Sequence, residues 1–132
     1  MNKYVFPAVF RKEERGYYIY FPDFDACFTQ GNDLQDGLDM AKDVLCMTLY
    51  DMEENDKNIP VPSDPSEIKT SVGEFVTLVD CDTLEYRKFY NSKAVKKTLT
   101  VPQWLDELAM KENVNFSQTL QQALMERLNV GK

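Results

Sequence analysis

The sequence predicts an α+β fold in two parts: a β-β-β-α-β-α lobe over residues 1–90 and a β-α-α tail over residues 95–132. Three observations carry this. Short aromatic and β-branched runs between turn residues fill the first thirty positions, as strands require. Leu34, Leu38, Ala41, Leu45 and Met52 then recur at helical intervals. After residue 94 the period changes again, to strict alternation and then to two further helical stripes.

Tyr4 to Phe10 reads as the first strand, with Pro7 placing it at a sheet edge or a bulge. Arg11 to Gly16 is a charged hairpin turn and Tyr17 to Phe21 a second strand. Pro22-Asp23 breaks that strand, and Ala26 to Gln30 forms a third. Asn32 or Asp33 caps the long helix, with Gln35 at capping-box spacing from Asn32, and the helix ends near Asp51. Residues 59–66 hold three prolines and form an extended connector. Glu74 to Asp80 is strand-like, and its continuous apolar character predicts an interior position. Asp82 or Thr83 caps a short helix through Phe89. Residues 91–94 form a linker to the 95–132 domain.

Composition narrows the chemistry. With 43% hydrophobic and 28% charged residues in 132, the chain can pack a core and is not disordered. It shows no signal-peptide pattern and no apolar run long enough for a membrane helix, so a cytoplasmic protein is expected. Cys27, Cys46 and Cys81 are odd in number and lack C-x-x-C spacing, which suits buried thiols rather than disulfides or zinc. The absence of histidine removes Ser-His and Cys-His nucleophiles and the usual neutral-pH base. No catalytic residue, metal or cofactor is expected. Charge is uneven: residues 93–132 carry six Lys/Arg against four Asp/Glu, leaving −9 on the first 92 of a chain at −7. An acidic body and a mildly basic tail suggest two surfaces for two kinds of partner.

The tail is too small to bury an adequate core alone, and its single strand leaves backbone groups unpaired. Both deficits vanish if two copies pair their strands antiparallel and pool their helices. In Val95 to Val101, Leu99 and Val101 face the helices, while Lys96, Thr98 and Thr100 face outward. A two-stranded ribbon fits the major groove, so those three are the candidate base contacts. Pro102 takes the first helical position, and Trp104, Leu105 and Leu108 supply the next apolar face. Asn115 caps the last helix, whose stripe includes Leu120 and Leu124. The start of that helix, Asn115-Phe116-Ser117, is a candidate phosphate clamp. The expected dimer core is Leu99, Val101, Trp104, Leu105, Leu108, Leu120 and Leu124. This pattern, from Val95 to about Asn129, resembles the ribbon-helix-helix superfamily.

The front pattern Tyr4-Val5-Phe6-Pro7-Ala8-Val9-Phe10, Gly16-Tyr17, Phe21-Pro22-Asp23-Phe24 and Cys27-Phe28-Thr29-Gln30-Gly31, continuing through Ile59-Pro60-Val61-Pro62-Ser63, is similar to HicB antitoxins. That resemblance implies a partial RNase H-like lobe that binds a small basic HicA toxin, an mRNA-cleaving protein with a catalytic histidine and a double-stranded-RNA-binding-like fold. It also implies repression of its own operon by promoter binding, through a homodimer open to further assembly. The acidic body agrees independently, since it can steer onto a basic RNA-binding surface. Other readings compete. The chain could be a stand-alone ribbon-helix-helix regulator whose lobe senses a ligand or protein. Asp23, Asp25, Asp80 and Asp82 could serve a metal-dependent nuclease. Tyr17, Tyr18, Tyr20, Phe21, Phe24 and Phe28 could stack RNA bases, although an acidic lobe repels phosphate.

Overall fold

Ten residues, Lys3–Lys12, form strand β1, whose middle five positions are all buried. Alternation sends Phe6, Ala8 and Phe10 to one face, where they join the main core, and Pro7 and Val9 to the other. Strand β2 (Tyr17–Tyr20) returns antiparallel through a hairpin in which Gly16 adopts φ +74°. Strand β3 (Phe28–Gly31) pairs with β2, and β4 (Glu74–Asp82) pairs with the far side of β1. The sheet is antiparallel throughout, in the order β3-β2-β1-β4. This computed structural model describes residues 2–130; residues 131–132, which close the expected tail domain, lie outside them.

Two strand expectations need correction. Apolar continuity predicted an interior β4, yet β4 is an edge strand. Its alternate residues are apolar towards both faces, with Phe75 and Val79 on one and Val76 and Leu78 on the other. The run therefore reports two apolar faces, not two neighbouring strands. Pro7 predicted an edge, yet β1 lies between β2 and β4. The paradox is local: β2 reaches only as far as Val9, so at Pro7 only the β4 side is paired. Lys12 N–H donates to Gly73 C=O, and Asn2 C=O accepts from Thr83 N–H. Even-numbered β1 residues thus bond to β4, and the N–H that Pro7 lacks would have pointed into the vacant side.

Helix α1 (Leu34–Glu54) lies across one face of this sheet and buries Gly37, Ala41, Leu45, Cys46 and Leu49. Its cap is Asp33, not Asn32: the Asp33 carboxylate accepts the Asp36 N–H at 2.8 Å, and Asp36 accepts the Asn32 N–H. Gln35 instead donates to Asp39. Gly31 and Gly37 let the helix approach the sheet, since a Cβ on Gly31 would lie 2.4 Å from the Gly37 Cα. The connector carries a short 3-10 turn, Pro65–Glu67, and β4 leads into helix α2 (Thr83–Tyr90), capped by Asp82. All three cysteines are free and buried.

The chain divides into two compact units, Met1–Lys93 and Ala94–Lys132. The second contains helix α3 (Gln103–Lys111) and helix α4 (Phe116–Leu128), and neither buries a residue. Pro102 is the residue before α3 rather than its first: its ψ of 143° is extended, while its carbonyl accepts from the Leu105 and Asp106 N–H groups. The strand expected over residues 95–101 is not formed in the single chain. A strand is defined by hydrogen bonds to a neighbour, and no other segment of the described residues pairs with it.

Candidate functional site

In the second unit, Lys96, Thr98 and Thr100 are all exposed on the segment before α3. So are the apolar residues expected to form a core: Trp104 is 63% exposed, Leu99 62% and Leu108 54%. Val101, Leu105, Leu120 and Leu124 share this exposure. At the start of α4, the Asn115 side chain accepts the Gln118 N–H at 3.0 Å and its carbonyl accepts that of Thr119. The Asn115 carboxamide is thereby committed to capping. The Phe116 and Ser117 N–H groups, with the Ser117 hydroxyl, are what that helix end offers an anion.

The first unit places the other candidate residues apart. Asp23 accepts hydrogen bonds from the Ser63 N–H and hydroxyl, tying the β2–β3 loop to the proline-rich connector. Asp80 pairs with Lys42 at 3.4 Å, Asp82 caps α2 through the Leu84 N–H, and Asp25 is exposed. Among the described residues no three acidic, histidine or cysteine side chains converge to hold a metal ion. The four carboxylates considered for nuclease chemistry are not one site. The six aromatics divide as well. Tyr17, Phe21 and Phe24 pack in or against the core. Tyr18, Tyr20 and Phe28 share the opposite, outer face of the sheet, with Tyr18 6.1 Å from each of the other two rings.

Sequence reading missed the polar junction at the end of α1. Glu53 accepts from Tyr4 Oη (2.7 Å), Thr83 Oγ1 (2.9 Å) and Arg87 Nη2 (3.0 Å). Arg87 also pairs with Glu54 and lies 4.7 Å above the Tyr50 ring. Burial, then the Glu53 hydrogen bond and charge, push the Tyr4 phenol up to about 12. The paired carboxylates push Arg87 up. Nearby, the Cys81 thiol is pushed up by its hydrogen bond to Cys46 and by burial. These partners lie 30 to 49 residues apart, so no local pattern announces them. The junction joins β1, α1 and α2 and leaves no buried side-chain polar atom unpaired.

The model of the HicB-like antitoxin of bacterial toxin–antitoxin systems matches residues 6–124. Antitoxin HicB 2 of Photorhabdus laumondii subsp. laumondii is 27% identical over 90% of this chain and 87% of its own length. A toxin–antitoxin complex from Streptococcus pneumoniae contains a chain 30% identical, with a TM-score of 0.61 over 95% of this chain and 99% of that one. The HicA3–HicB3 toxin–antitoxin complex gives 25% identity and a TM-score of 0.52 over 60% of this chain and 99% of that one. The matched stretch spans the sheet, α1, α2 and most of the two tail helices, and the chain belongs to the HicB-like antitoxin family.

Proposed function

We propose that this chain neutralises a HicA-type mRNA interferase by binding it through the acidic first unit, and represses its own operon through the second. In this reading two tails pair residues 95–101 into an antiparallel ribbon. Lys96, Thr98 and Thr100 then read base edges in the major groove, while the start of α4 at Asn115, Phe116 and Ser117 holds phosphate. The observation that carries it is the second unit's lack of any buried residue in α3 or α4. Among its described residues this 39-residue unit, with both apolar helix faces exposed, has no buried core, and a second copy supplies one. The −9 carried by the first 92 residues suits a basic toxin. Solved relatives described as toxin–antitoxin complexes support the same partner class. The reading is of a non-enzymatic protein acting in the cytoplasm, with its domain boundary at residues 91–94.

The test begins with affinity purification from the native cells, followed by titration of promoter DNA with what is recovered. The expected product is a near-stoichiometric small basic protein bound to a dimeric chain. Thr98→Ala or Thr100→Ala is expected to lower discrimination between operator and random DNA by about 1–3 kcal/mol per lost contact. Lys96→Ala should weaken binding and flatten its salt dependence. Unchanged operator affinity in all three variants would refute the face assignment. A clean homo-oligomer with no basic partner would favour a stand-alone regulator.

A further inference from the structure

The two edges of the sheet are built differently. β3 is only four residues long, and short edge strands are one way sheets avoid unwanted pairing. β4 runs for nine residues, and among the described residues no other strand pairs with its outer side. The ladder is bracketed by Lys12 N–H to Gly73 C=O at 2.9 Å and Thr83 N–H to Asn2 C=O at 2.8 Å. Odd-numbered β4 residues therefore bond to β1, and the backbone groups of Val76, Leu78 and Asp80 point outward. Among the described residues no hydrogen bond satisfies these three N–H and three C=O groups. Glu74, the next in that set, has its N–H closed by Ser71 C=O. By alternation the side chains of Val76 and Leu78 lie on the outer face of the sheet, where Leu78 is 54% exposed, and the Asp80 carboxylate, paired with Lys42 of α1, is 78% exposed.

The geometry points to the open β4 edge as the docking site for an extended, cationic strand of the partner protein, which adds a fifth strand to the sheet. This rests on the toxin-binding reading and names the surface that performs it. A strand alternating apolar and basic residues would lay its apolar side chains over Val76 and Leu78. Its Lys or Arg side chains would lie beside Glu74, Asp80 and Asp82, where Lys42 already pairs with Asp80 from α1. The charges argue against a second copy as occupant. Two β4 edges paired antiparallel about Leu78 set Glu74 opposite Asp82 and Val76 opposite Asp80, and any register brings one −9 body against another. The acidic positions thus repel a like edge and attract a basic one.

Hydrogen exchange on the full chain, free and in complex with the toxin that co-purifies with it, tests this. The amides of Val76, Leu78 and Asp80 should exchange rapidly in the free chain and at least tenfold more slowly in the complex. Those of Phe75, Thr77 and Val79 should be protected in both. Leu78→Pro removes an N–H that β1 does not use, so its Tm should be retained while toxin affinity falls at least tenfold. A toxin complex whose three edge amides stay fast, or one that Leu78→Pro leaves unweakened, overturns this inference and leaves the antitoxin reading standing. Edge protection that rises with concentration in the isolated chain assigns the edge to a second copy and overturns it too. Failure to recover any basic partner overturns the functional reading and this inference together.

Discussion

Glu53 shows how one residue can join three elements. Its carboxylate is shared by Tyr4 of β1, Thr83 at the start of α2 and Arg87 one turn later, with only 15% of its side chain exposed. Glu53→Ala leaves those donors without their acceptor and is expected to cost about 2–4 kcal/mol, measured by urea unfolding. The same contact gives a pH signature. A folded-state pKa raised from 10.0 to about 12 means that folding favours the neutral phenol of Tyr4. Its contribution is complete below pH 10 and is lost as pH rises through about 12. Tyr4→Phe should be less stable at neutral pH and lose less stability over that alkaline interval. Equal alkaline loss in both proteins would count against the Tyr4–Glu53 pair. The sequence marked Tyr4 only as a strand residue and Thr83 only as a candidate cap, because their shared chemistry comes from side chains far apart along the chain.

At the scale of the element, the packing of α1 on the sheet depends on two glycines facing one another. Gly31 ends β3 and Gly37 lies in the first turns of α1, so the contact joins a four-residue strand to a 21-residue helix. Gly31→Ala would place a methyl 2.4 Å from the Gly37 Cα and force helix and strand apart. The expected loss is about 3 kcal/mol, read from the unfolding of the tyrosine-rich first unit. An unchanged midpoint would show that the sheet end moves freely. Element identity was largely legible here: the caps, the hairpin turn and the 3.6-residue stripe of α1 are local signals. The position of β4 was not, because an apolar run looks the same whether its second face meets a neighbouring layer or lies open.

For the whole molecule, the contrast is between a unit that buries a core and one whose described helices bury no residue. The first unit encloses Phe6, Phe10, Ile19, Phe21, Leu45 and Leu49 without solvent access. The second exposes its one tryptophan, Trp104, along with Leu99 and Leu108. Trp104 is therefore a built-in reporter of the proposed pairing: if two tails associate, its emission should be blue-shifted at high concentration and move to the red on dilution. Leu99→Lys would bury a charge in the paired core, and should abolish both the dimer and operator binding. A dimeric, DNA-bound Leu99→Lys protein would refute the ribbon.

The sequence by itself determined the order of elements in the first unit and the two tail helices, the helix boundaries to within a few residues, the burial of three free thiols and the division of charge. Each depends on local periodicity or composition. Only the tertiary structure decided which strand became the open edge, why Pro7 is tolerated inside a four-stranded sheet, and that Glu53 anchors three elements. Those outcomes depend on register and on contacts between distant segments. Residues 95–101 show the limit of a single chain: the strand expected from their alternation is not formed, and in the proposed pairing its hydrogen bonds would belong to a second molecule.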